Sequence, residues 1–352
     1  MKTKLILIGF ACIALFACAD TSTSAKVISG AGISTPIDPF EQNAKLGRGI
    51  NLGNALEAPN EGDWGVTLKS DYFKWLKSKG FDSVRIPVRW SAHTTESAPY
   101  TIDERFFKRV DWAIEQSLAN DLMVIINIHH FMEIFEDPAA EEAKFLSMWR
   151  QIATRYANQP AGVIFEVLNE PHKELTAARW NDLLPKAINV IRDTNPHRTL
   201  FIGAAEWGGV PGLLKLDIPE DDNLIVTVHY YEPFKFTHQG AEWVEDDNAD
   251  EWLGTQWTGT PAQVNDIREH FQTIVDWAEE RNLPVNIGEF GAYSKADSAS
   301  RAKWSSEVVR FALENNMSYH YWEFASGFGI YNPRTKKWDT QLLNALVNTQ
   351  VN

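Results

Sequence analysis

The 352-residue chain has little cysteine and an excess of acidic over basic residues. Both cysteines, Cys12 and Cys18, lie near the amino terminus, so the remainder of the chain offers no thiol for a disulfide or for metal binding. The 47 acidic and 33 basic residues give a formal net charge of −14 at pH 7. Because this charge repels phosphate groups, we expect no nucleic-acid partner and no attraction of the folded domain to anionic membranes.

Signatures of metal and nucleotide sites are also missing. The chain contains no His-x-His or His-Glu-x-x-His motif and no glycine-rich phosphate-binding motif. His129 and His130 are adjacent, and adjacent residues of a strand point to opposite faces, so we do not expect both to reach one ion. We therefore predict neither a metal nor a cofactor.

Long apolar runs are confined to the amino terminus, where Lys2 and Lys4 precede a run that ends at Cys18. Its length is that of a signal-peptide core rather than a membrane span, so we predict a signal peptide over residues 1–18 and export of the protein. Two interpretations of its end remain open. A lipobox would leave Cys18 acylated, making a lipoprotein of the outer membrane or cell surface, whereas ordinary cleavage would give a secreted or periplasmic protein. The small and polar composition of residues 19–42 predicts a flexible tether.

Residues 43–352 are predicted to form one domain, in which short β-rich apolar runs alternate with longer helical patterns. Such alternation is typical of parallel strand–helix units. Eight units favour a closed (β/α)8 barrel, the TIM-barrel fold of the α/β class, over an open sheet. Thr101 and Glu104 predict a capping box at the start of the helix that follows the second strand. The predicted strands cover residues 47–52, 83–88, 123–128, 163–168, 199–203, 224–228, 284–288 and 318–322.

Two glutamates follow predicted strands. Glu170 comes after the fourth strand, and Glu289 comes after the seventh. We expect both on the same face, because the carboxyl ends of barrel strands open together. Glu170 with Pro171 also suits the first turn of a helix, which would make this glutamate a structural residue. Two carboxylates at one barrel mouth are the pair that glycoside hydrolysis requires, so we predict a polysaccharide-cleaving site.

Other polar and aromatic side chains occur at the same strand ends. The 14 tryptophans supply flat rings that can stack on sugars. Several of them lie in a long connection over residues 231–260, and long loops on this face of a barrel usually build the site. The candidates at the strand ends are Arg85, His129, His130, Asn169, His229, Tyr231 and Trp322.

Together the sequence motifs around these strand ends resemble glycoside hydrolase family 5, a family of retaining endoglucanases and mannanases with a (β/α)8 fold. The resemblance spans nearly the whole predicted domain and rests on an ordered set of motifs. The stretches GNALEAPNEGDWG and FTHQGAEW are similar to a bacterial branch in which one site accepts both β-1,4-glucans and β-1,4-mannans. The motifs are RGINLGN at 48–54, ALEAP at 55–59, VRIPVRW at 84–90, IHH at 128–130, LNEP at 168–171, HYY at 229–231, IGEFG at 287–291 and YW at 321–322.

The resemblance implies a double displacement with Glu170 as general acid/base and Glu289 as nucleophile. Arg85 would keep Glu289 ionised, and the charge of Glu289 would raise the pKa of Glu170. The remaining residues are expected to bind or position the sugar, with His129 and His229 positioning the acid as well and Tyr231 hydrogen-bonding Glu289. Those at the reactive subsite are Asn169, His129, His229, Tyr231 and Trp322, those at more distal sugars are Asn54, Glu57 and His130, and those in the walls are Trp207, His238 and Trp243.

We therefore expect a monomeric endo-β-1,4-glucanase, or cellulase, that also cleaves β-1,4-mannan or glucomannan. Two other functions compete with it. A metal-dependent TIM-barrel hydrolase is disfavoured because the His-x-His motif is missing. A non-catalytic glycan-binding surface lipoprotein would use the same tryptophans, but it has no need of both Glu170 and Glu289.

Overall fold

The structure is a computed structural model, and it describes residues 32–244 and 248–350. The predicted signal peptide and the position of the lipid, Cys18, lie outside the described residues, as does part of the predicted tether. These remain predictions. Among the helices that are described, none is long and apolar enough to cross a membrane.

Eight parallel strands close into a barrel in chain order, so that the first strand pairs with both the second and the eighth. The predicted (β/α)8 fold is thus confirmed, and each predicted strand is present with ends that differ by at most two residues. A small antiparallel hairpin follows the barrel. The strands are β1 Arg48–Asn51, β2 Ser83–Ile86, β3 Met123–Asn127, β4 Val163–Glu166, β5 Leu200–Gly203, β6 Leu224–Tyr230, β7 Val285–Phe290, β8 Ser318–Tyr321, β9 Tyr331–Asn332 and β10 Lys337–Trp338.

Helices surround the barrel and connect its strands. Short 3-10 helices cover Trp90–His93 and Ala249–Trp252. The α-helices in the described ranges are α1 Pro39–Leu46, α2 Ser70–Ser78, α3 Glu104–Ala119, α4 Met132–Glu136, α5 Pro138–Arg155, α6 Ala177–Arg192, α7 Val210–Leu213, α8 Phe234–Thr237, α9 Pro261–Arg281, α10 Ser298–Glu314 and α11 Thr340–Val347.

The start of α3 differs from its prediction. The helix begins at Glu104, and the side chain of Asp103 accepts a hydrogen bond from the backbone N–H of Arg105 at 2.7 Å. The predicted capping box with Thr101 is therefore wrong, because Asp103 offers an equally good cap two residues closer to the helix. A capping box does form at the start of α9, between Thr260 and Gln263.

The ordered domain also begins earlier than predicted, at α1. Its first turn is capped by the side chain of Asp38, and Gln42 and Asn43 are buried. The Asn43 amide donates to the backbone oxygen of Val285 at 2.9 Å, which ties the helix to β7. Residues 39–42 consequently belong to the folded domain rather than to a flexible tether.

One side of the barrel interior is apolar. Because alternate residues of a strand point to the same face, one residue from each of four neighbouring strands meets at the centre. These four residues form a buried cluster with Leu46 of α1, which covers that end of the barrel. They are Ile125, Ile164, Phe201 and Ile225. A larger apolar core lies between the strands and the surrounding helices.

The other side of the interior, formed by β1, β2, β7 and β8, is polar. The hydroxyl of Ser83 lies 3.0 Å from Nε2 of His320, and the Asn286 amide donates to the hydroxyl of Ser318 at 2.6 Å. The Asn51 amide donates to the backbone oxygen of Gly288 at 3.0 Å. Buried polar groups are stable only when they are hydrogen-bonded, and this network satisfies them up to the level of the barrel mouth.

The close approach of β1 and β8 depends on Gly49. A Cβ atom at this position would lie 2.2 Å from Cδ2 of His320 and 2.6 Å from the backbone oxygen of Tyr319. We expect Gly49→Ala to lower the free energy of unfolding by about 1–3 kcal/mol, because the added methyl forces strands apart in a packed interior. The matched control is Gly162→Ala, whose Cβ meets only Leu118 at 3.4 Å. Denaturant unfolding followed by circular dichroism compares the two variants, and equal stabilities contradict this account of Gly49.

Candidate active site

A buried arginine lies at the centre of the barrel mouth, and all five of its N–H groups are used. Nε and Nη2 of Arg85 donate to the two carboxylate oxygens of Glu166 at 2.5 and 2.6 Å. Nη2 also donates to Oδ1 of Asn169 at 2.7 Å. Nη1 donates to Oδ1 of Asn51 at 2.8 Å and to Oε1 of Glu289 at 2.7 Å. The side chain is therefore fixed in one orientation, with one edge against the predicted nucleophile.

Strand geometry explains this arrangement. Arg85, Asn51 and Glu166 occupy the last or next-to-last positions of β2, β1 and β4, where inward-pointing side chains reach the mouth. Burial alone acts to lower the pKa of Arg85, but the carboxylates of Glu166 and Glu289 outweigh it and raise this pKa. The guanidinium thus stays charged and partly neutralises two buried carboxylates.

The two predicted catalytic glutamates face each other beside a histidine. Nδ1 of His229 lies 2.7 Å from Oε1 of Glu170 and 3.7 Å from Oε2 of Glu289. The hydroxyl of Tyr231 donates to Oε2 of Glu289 at 3.0 Å. A carboxylate oxygen of Glu170 lies within 4.8 Å of one of Glu289. The structure thus brings together four residues that the sequence placed in the site.

An irregularity between β6 and β7 places the histidine. The register shifts between Val228 and His229, so that His229 pairs with Glu289. Gly288 allows this approach because a Cβ atom there would lie 2.2 Å from Oγ1 of Thr227 and 3.2 Å from Nε2 of His229. A bulge of this kind redirects a side chain next to a site.

The pKa values of the three groups depend on each other. Burial acts to lower the pKa of His229, but the charges of Glu289 and Glu170 outweigh it and raise this pKa. Burial acts to raise the pKa of Glu170, but the hydrogen bond and charge of His229 outweigh it and lower this pKa. Burial raises the pKa of Glu289, against the opposing charges of His229 and Arg85.

In the free site, against the effect of burial, the hydrogen bond and charge of His229 lower the pKa of Glu170, opposite to the direction expected from the charge of Glu289 alone. The expectation considered the charge of Glu289 on Glu170, whereas the closest ionisable neighbour of Glu170 is His229. The hydrogen bond between His229 and Glu170 holds a proton close to the charge of Glu289. We therefore expect the proton for acid catalysis to come from the His229–Glu170 pair. Arg85 acts on Glu289 in the expected direction, although burial is the larger effect.

A series of rings extends from the glutamates along the mouth. The ring of Trp322 is parallel to that of His129, with 6.0 Å between the centroids. His129 and His130 lie edge to face at 4.5 Å, and His130 lies 5.4 Å from Trp64. The two histidines are thus neighbours rather than on opposite faces, because they follow the end of β3 and His130 has a φ of 49°. Burial lowers the pKa of His130 to about 4, which keeps it neutral near pH 7.

The predicted wall residues differ in exposure. Trp207 and Trp243 are 55% and 52% exposed, as expected for side chains that a ligand covers. Trp207 stacks on His172 at 4.9 Å. His238 is buried against Phe234 at 4.1 Å, so it supports the wall from beneath rather than forming its surface.

Two loops next to Trp322 are held by buried carboxylates. Glu57 is fully buried and accepts hydrogen bonds from the backbone N–H groups of Asn54 and Ala55. Glu323 is also fully buried and accepts from the N–H groups of three residues between 325 and 328. The Asn54 amide donates to the hydroxyl of Ser326 at 2.5 Å and joins the two loops. Glu57 therefore positions Asn54 and does not itself face a sugar in this structure.

One group of three possible metal ligands occurs in the described residues, and it consists of the two glutamates and the histidine between them. Glu170, His229 and Glu289 each offer one donor atom within 4.8 Å of the others. Nδ1 of His229 is already engaged by Glu170, and the Arg85 guanidinium lies 2.7 Å from Glu289. A metal cation there would be repelled by the buried guanidinium, so this donor set suits a proton better than an ion.

Several site residues were not predicted from the sequence. Glu166 and Asn51 complete the shell of Arg85, Trp64 extends the series of rings, and Glu323 holds a loop. Glu166 did leave a signal, because it is a charged residue within the apolar strand β4, and such a residue needs a buried partner.

Comparison with known proteins identifies the family. Residues 45–327 match the model described as cellulase (glycosyl hydrolase family 5). The chain belongs to glycosyl hydrolase family 5. The matched range includes the barrel strands and every site residue described above.

Relatives of this family 5 chain include enzymes and solved structures of high similarity. Endoglucanase H of Acetivibrio thermocellus is 39% identical over 318 residues, which cover 89% of this chain but only 34% of that protein. Structures of Thermotoga maritima Cel5A in complex with cellobiose and with mannotriose are 52% identical. Each alignment covers 88% of this chain and 100% of the Cel5A chain, with a TM-score of 0.86.

The geometry predicts that Glu166 matters although it does not reach the cleft. Glu166→Gln removes the charge that holds one edge of Arg85, through Nε and Nη2, so we expect the guanidinium to lose its fixed orientation towards Glu289. The kcat on carboxymethylcellulose is expected to fall on the order of 10²-fold, with KM nearly unchanged. The control, Glu142→Gln, removes an ion pair with Lys186 at the surface and should leave both constants unchanged. A wild-type kcat for Glu166→Gln contradicts the positioning role.

The burial of Glu57 predicts a pH dependence of stability. Burial raises its pKa from 4.5 to about 8, against the hydrogen bonds from the backbone. Between these values the folded chain keeps a proton that the unfolded chain has released, so stability decreases as the pH rises. Glu57→Gln has no such proton and should lose less stability between pH 5 and 8. Thermal unfolding across this range measures the slope, and Glu41→Gln, at an exposed position, should retain the wild-type slope.

Proposed function

We propose that this family 5 protein is a retaining endo-β-1,4-glucanase that also accepts β-1,4-mannan or glucomannan. The observation that carries the proposal is the spacing of the two glutamates. A carboxylate oxygen of Glu170 lies within 4.8 Å of one of Glu289. Retaining glycosidases have carboxyl groups about 5–5.5 Å apart, whereas inverting enzymes need about 6.5–9.5 Å to admit a water.

In the first step, Glu289 attacks the anomeric carbon of the sugar. Arg85 and Tyr231 hold its two oxygens at 2.7 and 3.0 Å, which aims the carboxylate and stabilises its charge. The glycosidic bond breaks as Glu170 gives a proton to the departing oxygen, and His229 supplies the proton to Glu170 across their 2.7 Å hydrogen bond. The products of this step are a glycosyl ester on Glu289 and a free sugar end.

In the second step, water cleaves the ester. Glu170, now ionised, removes a proton from the water, and the water oxygen bonds to the anomeric carbon while Glu289 leaves as a carboxylate. Two inversions give net retention of configuration. The proton that Glu170 gains restores the starting state of the His229–Glu170 pair.

The substrate range is supported by the relatives. Thermotoga maritima Cel5A, 52% identical, has been crystallised with cellobiose and with mannotriose. Glucose and mannose differ at the 2-hydroxyl, so a site that orients the ring mainly by stacking tolerates both. Trp322, which follows β8, and the exposed rings of Trp64, Trp207 and Trp243 provide such stacking surfaces.

The N-terminal features extend the proposal. Export follows from the signal-peptide pattern that ends at Cys18, and the lipid anchor and ordinary cleavage remain the two alternatives. We propose that the enzyme acts as a monomer outside the cytoplasm. A polysaccharide too large to enter the cell is a suitable substrate for an exported enzyme.

Replacement of each glutamate tests the mechanism and the substrate range. Reducing-sugar release is measured on carboxymethylcellulose, mixed-linkage glucan, glucomannan and galactomannan. We expect Glu289→Gln to lose hydrolysis of all four polymers because no ester can form. Glu170→Gln should lose about 10²–10⁴-fold on these polymers, and far less on an aryl glycoside whose leaving group needs no proton.

Proton NMR of the first product identifies the anomer. A β-anomer supports double displacement, and an α-anomer rejects it. Loss of activity with a chelator would favour the metal-dependent hydrolase. Wild-type protein that binds all four polymers without cleaving any would favour the glycan-binding lipoprotein.

A further inference from the structure

A pocket elsewhere in the structure is lined by none of the residues of the candidate active site. It is formed by α2 and by the β9–β10 hairpin, and its volume is about 390 Å³. This volume lies in the range of small-molecule sites, about 300–1,000 Å³. We call it the hairpin pocket, and its lining residues are Trp75, Ser78, Lys79, Tyr331, Lys336 and Trp338.

Three aromatic rings form the wall of the hairpin pocket. Trp75 lies 5.4 Å from Tyr331, and Tyr331 lies 5.2 Å from Trp338, measured between centroids. Trp75 and Trp338 pack against the core with one side and are only half-buried. Rings held in this way present fixed apolar faces, which suit the C–H face of a pyranose ring.

Two lysines at the same pocket have no acidic partner. The ammonium of Lys79 lies 5.4 Å from the centroid of Trp338, and Lys336 is in the turn of the hairpin. In the described part of the chain, neither side chain forms an ion pair, although the protein carries a net charge of −14. None of the six lining residues is acidic. The pocket is therefore a local positive site on an acidic protein.

From this combination we propose that the hairpin pocket is a second glycan-binding site, which takes a carboxylate-bearing sugar unit of an acidic polysaccharide. The rings of Trp75 and Trp338 contact the sugar ring, and the ammonium groups of Lys79 and Lys336 bind its carboxylate. The hydroxyl of Ser78 offers a further hydrogen bond. Such a site holds the enzyme on mixed cell-wall material independently of the chain that it cuts.

Binding to an acidic polymer that lacks β-1,4-glucan or mannan tests the site separately from hydrolysis. Polygalacturonate is cast into a native polyacrylamide gel, and migration of the full domain is compared with a gel that contains neutral dextran. We expect polygalacturonate to slow the migration of the domain and dextran to leave it unchanged. Added salt should weaken the effect of polygalacturonate. The variant Lys79→Glu/Lys336→Glu should bind about tenfold more weakly.

The matched control, Lys108→Glu/Lys303→Glu, has the same net charge with both changes at exposed positions outside the pocket. It should keep the wild-type retardation. Both double variants should retain the wild-type kcat and KM on carboxymethylcellulose, so a failure of the proposed catalytic function is seen separately. Trp338→Leu tests the ring contact, with thermal unfolding to confirm that the variant is folded.

Three results would overturn the proposal. One is the absence of retardation by polygalacturonate, and another is equal weakening by both pairs of substitutions, which indicates a general effect of charge. The third is retardation by dextran that equals the retardation by polygalacturonate and that the Lys79→Glu/Lys336→Glu variant retains. This result indicates a site for neutral sugars. Retardation that depends on the two pocket lysines and on Trp338 supports it.

Discussion

The site depends on the complete use of one guanidinium. Arg85 has five N–H groups, of which two donate to Glu166 and one each to Asn169, Asn51 and Glu289. A buried charge is stable only when it is paired and hydrogen-bonded, and here the same bonds that satisfy the charge also orient Glu289. Four strands are thereby aligned around one side chain.

The polar half of the barrel interior is the support for this group. Asn51 links Arg85 to the backbone of β7, and His320 and Ser83 continue the hydrogen bonds below it. Apolar residues fill the opposite half, next to β3–β6. The division means that the charged site rests on satisfied polar groups, whereas the apolar half supplies the close packing that fixes the distances between strands.

The sequence predicted the strands and the two glutamates at one barrel mouth because both leave local signals. Apolar runs mark the strands, and Glu170 and Glu289 follow such runs. Contacts between distant residues leave no such signal. Arg85 and Glu166 are 81 positions apart, and only the closed barrel brings them together. The resemblance placed His229 beside the acid, but the direction in which it shifts the pKa of Glu170 was not predicted from the sequence.

Local competition accounts for the other differences. Thr101 and Asp103 are both good helix caps, and the pattern alone does not choose between them. The strand period predicts opposite directions for His129 and His130, but the period ends with β3. Glu57 is in a loop that the resemblance assigned to sugar binding, and its inward turn depends on backbone N–H groups that sequence patterns do not locate.

The carboxylates beneath the two loops next to Trp322 have a consequence for the entropy of substrate binding. Glu57 and Glu323 hold these loops through backbone N–H groups within the protein, and the Asn54–Ser326 hydrogen bond joins them. A flexible loop would lose conformational freedom when a polymer entered, and that loss would weaken binding. Here the ordering has already taken place during folding, so contacts with the polymer can act on the geometry of the reacting ring instead.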